Sequence, residues 1–171
     1  MRHKLTLTLA AFSILATLCF ILENFLPKPL PFFRIGLANV FVLLILFQLG
    51  FRAALVITIS KVFLGSLFSG LIFTPILIFS LLSSLISLIA MYLAIHSKFK
   101  FSLIGISISG AVFHNLCQLL IAYFIFIRNT KIFSLIPLLL ILALIGGGIT
   151  GIFATLLDKK MNLKEILQKN I

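Results

Sequence analysis

The stretch LIGISISGAVFHNLCQLLIAYFIFI, residues 103–127, decides the fold of this chain. It contains no Asp, Glu, Lys or Arg, and it exceeds the ~20 apolar residues that a membrane-spanning helix needs. Three polar side chains, His114, Asn115 and Gln118, interrupt it near its middle. A polar group inside a bilayer is costly, and where it occurs it usually has a role. The stretch therefore predicts a spanning helix whose polar residues are candidates for function.

The composition of the whole chain indicates the same class of protein. Hydrophobic residues make up 62% of the 171 residues, charged residues make up 10%, and the mean hydropathy is +1.32. A soluble domain of this length lacks the core volume to bury so much apolar surface. We therefore predict an all-α polytopic protein of the lipid bilayer. The net charge of +11 is assigned to lipid headgroups and not to nucleic acid, because the cations flank apolar segments.

Apolar segments recur along the chain and predict a bundle of six transmembrane helices. The second segment is short, and Gly50 with Phe51 leaves almost no loop before Arg52, which predicts a tight helical hairpin. Residues 1–157 form the predicted membrane domain, and residues 158–171 form an amphipathic tail on the cytoplasmic surface. The predicted spans are residues 5–26, 35–49, 53–72, 75–95, 103–127 and 133–157.

The distribution of Lys and Arg predicts the orientation. Cytoplasmic loops carry an excess of these residues, and nine lie on one side of the predicted spans against four on the other. Both termini are therefore expected in the cytoplasm, with the protein in the cell membrane. The nine are Arg2, Lys4, Arg52, Lys98, Lys100, Lys159, Lys160, Lys164 and Lys169, and the four are Lys28, Arg34, Arg128 and Lys131.

The polar residues inside the spans are predicted to meet in the outer half of the bundle. Alternating helix directions bring them to similar depths, and His114 and Gln118 share a face at i,i+4. A proline-rich loop, residues 27–31, followed by an Arg, would cover them. A pocket with this excess of cations favours an anionic or amphipathic small molecule. The candidate ligand-binding residues are Glu23, Asn24, Arg34, Asn39, Lys61, His114, Asn115 and Gln118.

Each of these residues also has a structural interpretation. Glu23 could form an ion pair with Lys61 or Arg34, and the amides could be interhelical hydrogen bonds worth only ~1 kcal/mol each. Small residues four apart predict closely packed helices in any case. Such pairs are Gly65 with Ser69, Ser66 with Gly70, Gly105 with Ser109 and Gly147 with Gly151.

Several linked motifs resemble one known family. They are Leu22-Glu23-Asn24, the spaced prolines 27, 29 and 31, Ile35-Gly36-Leu37-Ala38-Asn39, Lys61-Val62-Phe63-Leu64-Gly65-Ser66, the run from Ser107 to Leu119 with His114-Asn115, and Gly147-x-x-Thr150-Gly151. The chain resembles the family of Gx transporters, which is also labelled heptaprenyl diphosphate synthase component I. It departs from the pattern at Cys117, where a Gly is expected.

The family is similar to the substrate-binding S components of energy-coupling-factor (ECF) vitamin transporters. This resemblance implies a six-helix bundle with an outward pocket beneath the loop after the first helix. It also implies a separate coupling membrane protein with ATPases as partners. S components often dock through small residues four apart on the first helix, and here Ser13-xxx-Thr17 approximates that spacing.

The residues offer little for enzyme chemistry. Prenyl diphosphate synthases hold Mg²⁺ on Asp-rich motifs, whereas this chain has three acidic residues, Glu23, Asp158 and Glu165. A Walker motif for ATP is also missing from the sequence. Cys19 and Cys117 lie in apolar segments without metal-binding spacing, so we expect small buried hydrophobes there, and no metal or cofactor.

Two functions remain open on this sequence. The chain is predicted to be a non-enzymatic substrate-binding and transport subunit for an isoprenoid, quinone-related or vitamin-like compound. Alternatively, it is a non-catalytic membrane scaffold or accessory subunit of polyprenyl diphosphate or quinone synthesis. A soluble synthase would then dock on the inner face.

Overall fold

The computed structural model describes residues 2–25 and 36–161, and these are helical apart from short turns. A π-helical turn, Tyr123–Ile127, and a 3-10 helix, Thr130–Leu135, connect the last two long helices. Arg34, the proline-rich loop and residues 162–171 lie outside the described residues. The helices are α1 Arg2–Phe25, α2 Asn39–Leu49, α3 Phe51–Phe68, α4 Pro75–His96, α5 Leu103–Ala122 and α6 Ile136–Lys160.

Five helical segments are long and apolar enough to cross a membrane, as expected for a multi-pass membrane protein. They contain α1, α3, α4, α5 and α6, and leucine, isoleucine and phenylalanine side chains cover their outward faces. The second predicted span differs, because α2 has 11 residues, a length of about 16 Å against a ~30 Å hydrocarbon layer. The described residues therefore support five spans and one short apolar helix.

The short helix α2 lies at the centre of the bundle. It contacts α1, α3, α4 and α6, and most of its side chains are buried, including Leu43, Leu44 and Ile45. A helix that is apolar all round is typical of such an interior position. Gly50, with φ of 90°, is the single residue between α2 and α3. This confirms the predicted hairpin, since that backbone conformation favours glycine.

The end of α3 was predicted too late. The hydrophobic run extends to residue 72, but the helix ends at Phe68. Gly70, with φ of 69°, donates its N–H to the carbonyl of Leu67, and Leu71 donates to Ser66. These two bonds form a Schellman motif, which closes a helix however apolar the following residues are.

The contact between α5 and α6 is the most extensive in the bundle. A Cβ added at Gly151 would lie 2.6 Å from the Cα of Ile104, and one added at Gly147 would lie 2.8 Å from that of Ile108. The predicted close packing at this glycine pair is therefore confirmed. At Gly65 an added Cβ would instead meet the ring of Phe20 on α1, at 2.2 Å.

The ends of α2 and α6 meet on the side of the bundle where α3 begins. Nε2 of Gln48 donates to Oδ1 of Asp158 and to the carbonyl of Met161, both at 2.6 Å. The helix α6 continues through Lys160, so the first three residues of the predicted tail belong to it. Hereafter this side is called the Arg52 end and the opposite side the Glu23 end.

Candidate functional site

The Glu23 end is where α1 and α3 finish and α2 begins. Nδ2 of Asn24 donates to Oγ of Ser69 at 2.9 Å and so joins the ends of α1 and α3. The backbone N–H of Ala38 donates to Oε1 of Glu23 at 3.4 Å. A carboxylate at this position also interacts favourably with the positive end of the α2 dipole. Glu23 therefore fixes the start of α2 against α1.

A narrow crevice lies beneath this junction, and we call it the charged chamber. It contains one carboxylate, Glu23, and one ammonium group, Lys61. Both are buried, with 3% and 2% of their surface exposed. The ammonium donates a hydrogen bond to Oδ1 of Asn39 in the first turn of α2. The chamber is lined by Phe20, Glu23, Gly36, Ala38, Asn39, Lys61, Ser80, Ser84 and His114.

A second narrow crevice adjoins the first, and we call it the hydroxyl chamber. Gly36, Asn39 and His114 line both cavities, so these residues mark the junction between them. The other lining residues carry no full charge: they are Ser87, Met91, Ser107, Ala111, Asn115, Leu142, Ala143 and Thr150. The two chambers thus differ in charge although they share a wall.

His114 at the junction belongs to a buried polar group on α4 and α5. Nε2 of Gln118 lies 3.2 Å from Nε2 of His114, and Oγ of Ser83 lies 3.5 Å from the same atom. The amide nitrogen of Gln118 can donate to Nε2 of the imidazole when the ring proton is on Nδ1. Gln118 therefore orients the imidazole from behind the chambers.

The hydroxyl chamber is closed on its α6 side by hydrogen bonds. Oγ of Ser107 and Oγ1 of Thr150 are 2.6 Å apart, and Nδ2 of Asn115 donates to the carbonyl of Leu139 at 3.1 Å. These bonds hold α5 to α6, as expected for interhelical polar contacts. Asn115 thus lines a cavity and also links two helices.

Two buried polar atoms beside the chambers have no hydrogen-bond partner among the described residues. They are Oγ of Ser87 and Oε1 of Gln118. A buried acceptor or hydroxyl without a partner costs about 1–3 kcal/mol. Such atoms therefore favour a bound molecule or ordered water that would supply the missing bonds.

The predicted candidate residues divide into three groups. Glu23, Asn39, Lys61 and His114 come together in the charged chamber, and Asn115 lines its neighbour. Gln118 is buried behind His114, whereas Asn24 is taken up by the contact between α1 and α3. Arg34 lies outside the described residues.

Sequence reasoning overlooked the serines of α4. Ser80 and Ser84 line the charged chamber and Ser87 lines the hydroxyl chamber, and all three are almost fully buried. Their spacing of four and three residues places them on one face of the helix. That periodicity in an otherwise apolar segment was the available signal.

In this conformation the chambers are narrow. Their space is divided into crevices between side chains, with room for about one water molecule in each. A larger ligand therefore requires the helices around them to separate. The junction of α1, α2 and α3 at the Glu23 end includes the hydrogen bonds of Asn24 with Ser69 and of Ala38 with Glu23.

The remaining reactive groups lie apart from the chambers. Cys19 and Cys117 are half-buried free thiols, so they are less deeply buried than predicted. Asp158 is at the Arg52 end, bonded to Gln48. Among the described residues, no three His, Cys, Asp or Glu side chains are grouped so that they could hold a metal ion.

Comparison with known proteins bears on the whole membrane region. No curated protein and no solved structure matched the chain. The sequence model of the family described as heptaprenyl diphosphate synthase component I matches residues 12–157, a range that includes every residue lining the two chambers. The motifs quoted from the sequence alone indicated the same family. The chain therefore belongs to the heptaprenyl diphosphate synthase component I family.

Proposed function

We propose that this membrane protein binds a small molecule in the two chambers and serves as a substrate-binding subunit for its uptake. The observation that supports this most is the meeting of Glu23 and Lys61, from α1 and α3, in one buried cavity. Charged side chains inside a membrane bundle commonly mark substrate pathways. Interhelical bonding alone has no need of a carboxylate and an ammonium group beside one crevice.

The depth of the site fits this function. Lys61 is ten residues from the start of α3, about 15 Å along the helix. The helix α2 ends beside the start of α3, at Gly50. Because α2 is about 16 Å long, its N-terminus lies at the same level as Lys61. Short helices that begin near the middle of a bilayer point their positive dipole ends at anionic groups in transporter sites. The ligand therefore has at least one anionic group, which Lys61 binds.

The orientation follows from the charges of the two ends. In our proposal the predicted second span, residues 35–49, is the sixth crossing, and both termini are in the cytoplasm of the cell. The Glu23 end then faces outward and the ligand enters there. Of the described cations, Lys4, Arg52, Lys98, Lys100, Lys159 and Lys160 belong to the Arg52 end, against Arg128 and Lys131 at the other.

The energy for uptake would come from partner proteins, as in ECF transporters. A coupling membrane protein with ATPases fits the absence of a Walker motif from the sequence. The small residues expected to dock on it, Ser13 and Thr17, are only 7% and 5% exposed. In this conformation they face the interior of the bundle, so docking uses another surface or follows a movement of α1.

Ligand binding can be tested by thermal unfolding of the purified protein in mild detergent. The panel contains anionic and amphipathic vitamins, quinone precursors and short isoprenoid phosphates. A ligand present at 100 times its dissociation constant raises the free energy of unfolding by about 2.7 kcal/mol. A panel in which no compound raises the unfolding temperature would count against the function proposed here.

The family description supports a second candidate function. The protein would be the non-catalytic membrane subunit of a polyprenyl diphosphate synthase whose soluble partner performs the reaction. We do not assign the reaction to this chain, because Glu23 and Asp158 lie at opposite ends of the bundle and cannot share a Mg²⁺ ion. Co-purification from native membranes separates the two functions: ATPases with a coupling protein favour transport, and a soluble prenyl synthase favours the accessory role.

A further inference from the structure

We propose that the ligand is a zwitterion that fills both chambers. Its cationic and anionic groups lie beside Glu23 and Lys61, and its uncharged, hydrogen-bonding part occupies the hydroxyl chamber. This proposal rests on the binding function proposed above and names the class of substrate.

The formal charges of the described site indicate the charge of the ligand. The charged chamber holds one carboxylate and one ammonium group, so their formal charges cancel. A ligand with a single negative charge would pair with Lys61 but would also lie beside the carboxylate of Glu23. One uncompensated charge would then remain in a dry interior, where it is costly. A zwitterion leaves none.

Both side chains can bind a ligand and keep the bonds they already make. A carboxylate has two oxygens with about four acceptor positions, and an ammonium group has three donors. Glu23 can therefore accept from a ligand cation while it holds the N–H of Ala38. Lys61 can likewise donate to a ligand anion while it holds Asn39. The start of α2 need not be released when the ligand binds.

The lining of the hydroxyl chamber determines which chemical groups the other half of the ligand contains. Its polar groups are hydroxyls and an amide, and its apolar wall includes Met91, Leu142 and Ala143. Ser87 supplies one of these hydroxyls and is 1% exposed. Its Oγ has no hydrogen-bond partner among the described residues. A neutral ring or chain with one or two hydrogen-bonding atoms matches this lining, whereas a second charge would have no counter-ion there.

The two parts must belong to one molecule because the chambers share a wall. Gly36, Asn39 and His114 line both cavities, so a ligand that extends from one into the other passes the imidazole of His114. That ring can accept or donate a hydrogen bond according to its tautomer. It is thus suited to contact the point where the charged and neutral parts of the ligand join.

The test uses sets of probes that differ only in charge. One set is tyrosine, N-acetyltyrosine, tyrosine amide and N-acetyltyrosine amide, which are respectively zwitterionic, anionic, cationic and neutral, and whose phenol supplies an uncharged hydrogen-bonding atom. The same four forms of glutamine make the second set. We expect the zwitterions to raise the unfolding temperature more than the other forms. Glu23→Gln and Lys61→Met should each weaken their binding about ten- to hundredfold.

Two further variants separate the site from the fold. Glu23→Gln keeps an oxygen acceptor for the Ala38 N–H, so the start of α2 is retained. Ser87→Ala should weaken binding by a smaller factor than either charge variant. Ser69→Ala removes the hydrogen bond from Asn24 outside both chambers, and it should leave the order of the four charge forms unchanged.

The outcomes divide clearly. If an anion binds as tightly as its zwitterion, or if Glu23→Gln strengthens anion binding, the zwitterion proposal is wrong and the binding function stands. If none of the zwitterions stabilises the protein, the proposal is also wrong. The wider ligand panel then decides separately on the binding function.

Discussion

The seam between α5 and α6 and the charged chamber use polar residues in opposite ways. In the seam, Gly147 and Gly151 bring the helices into backbone contact, and Ser107 bonds directly to Thr150. In the chamber, Glu23 and Lys61 come from different helices and line one narrow crevice. The seam is packed as a structural contact, whereas the chamber holds charged groups beside a water-sized space.

This difference shows how a polar residue in a membrane helix can be interpreted. Asn24 was equivalent to Lys61 and His114 at the level of sequence. Its hydrogen bond runs to Ser69 and so connects α1 to α3, and it lines neither chamber. The space beside a polar group, more than its cost in the membrane, therefore separates structural from ligand-binding candidates.

The largest effect is expected from Lys61→Met. Loss of a buried charge-assisted bond to an anionic ligand costs about 1.5–3 kcal/mol, or ten- to hundredfold in affinity. The fold should survive, because Glu23 lies near the end of α1, where a lone carboxylate can reach water or take a proton. Ligand-dependent thermal shifts measure both effects.

The exposed Lys131 provides the control, and Lys131→Met should change neither affinity nor stability. A Lys61→Met protein that unfolds in mild detergent, or one that binds its ligand normally, would contradict the assignment of Lys61 to the ligand.

The seam is tested by Gly151→Ala. The new Cβ would lie 2.6 Å from the Cα of Ile104, so the helices must separate, and overpacking of this kind costs about 1–3 kcal/mol. Denaturant unfolding in detergent measures the loss. Gly148→Ala is the matched control, since its added Cβ meets nothing within 4 Å. Equal stability of the two variants would show that the seam is not tightly packed.

A smaller effect is expected from Gln48→Met at the Arg52 end. It removes the bonds to Asp158 and to the carbonyl of Met161, and a typical hydrogen bond contributes about 0.5–1.5 kcal/mol. The end of α6 should then fray and the exposed Lys159 and Lys160 should be cut faster by trypsin. Unchanged cleavage would mean that Gln48 does not hold the two helix ends together.

The smallest effect is expected from Thr150→Val. Interhelical hydrogen bonds in membrane proteins average about 0.6 kcal/mol, and the variant loses the bond with Ser107. A double-mutant cycle with Ser107→Ala measures this value. Thr155→Val is the control, because Thr155 bonds to the carbonyl of Gly151 in its own helix. A coupling energy above ~2 kcal/mol would mean that the seam depends on polar bonding, as the charged chamber does.

Hydrophobic runs located the long helices to within a few residues, because a helix that lies in lipid must consist mostly of apolar residues. The capping motifs that end the helices were harder to predict from the sequence. The Schellman motif at Gly70 ends α3 before the apolar run does. The start of α2 also follows a local backbone feature, a turn in which the N–H of Asn39 donates to the carbonyl of Gly36.

The meeting of Glu23, Asn39, Lys61 and His114 could be predicted because alternating helix directions fix the depth of each residue. The hydrogen-bond partners of these residues could not be predicted. Lys61 bonds to Asn39 only because α2 begins at that level. The α4 serines were overlooked because serine in a membrane helix often bonds to its own backbone, as Ser80 does with the carbonyl of Ile76.

The turn at Gly50 has a consequence for how the chain is inserted during synthesis. A translocon recognises spans by length and hydrophobicity, and the 11 residues of α2 are about half of what a lone span requires. With one residue between them, α2 and α3 have no loop that could be delivered separately to either side. We therefore expect the hairpin to partition into the lipid as one unit, with Lys61 sheltered against Asn39 from the moment of entry.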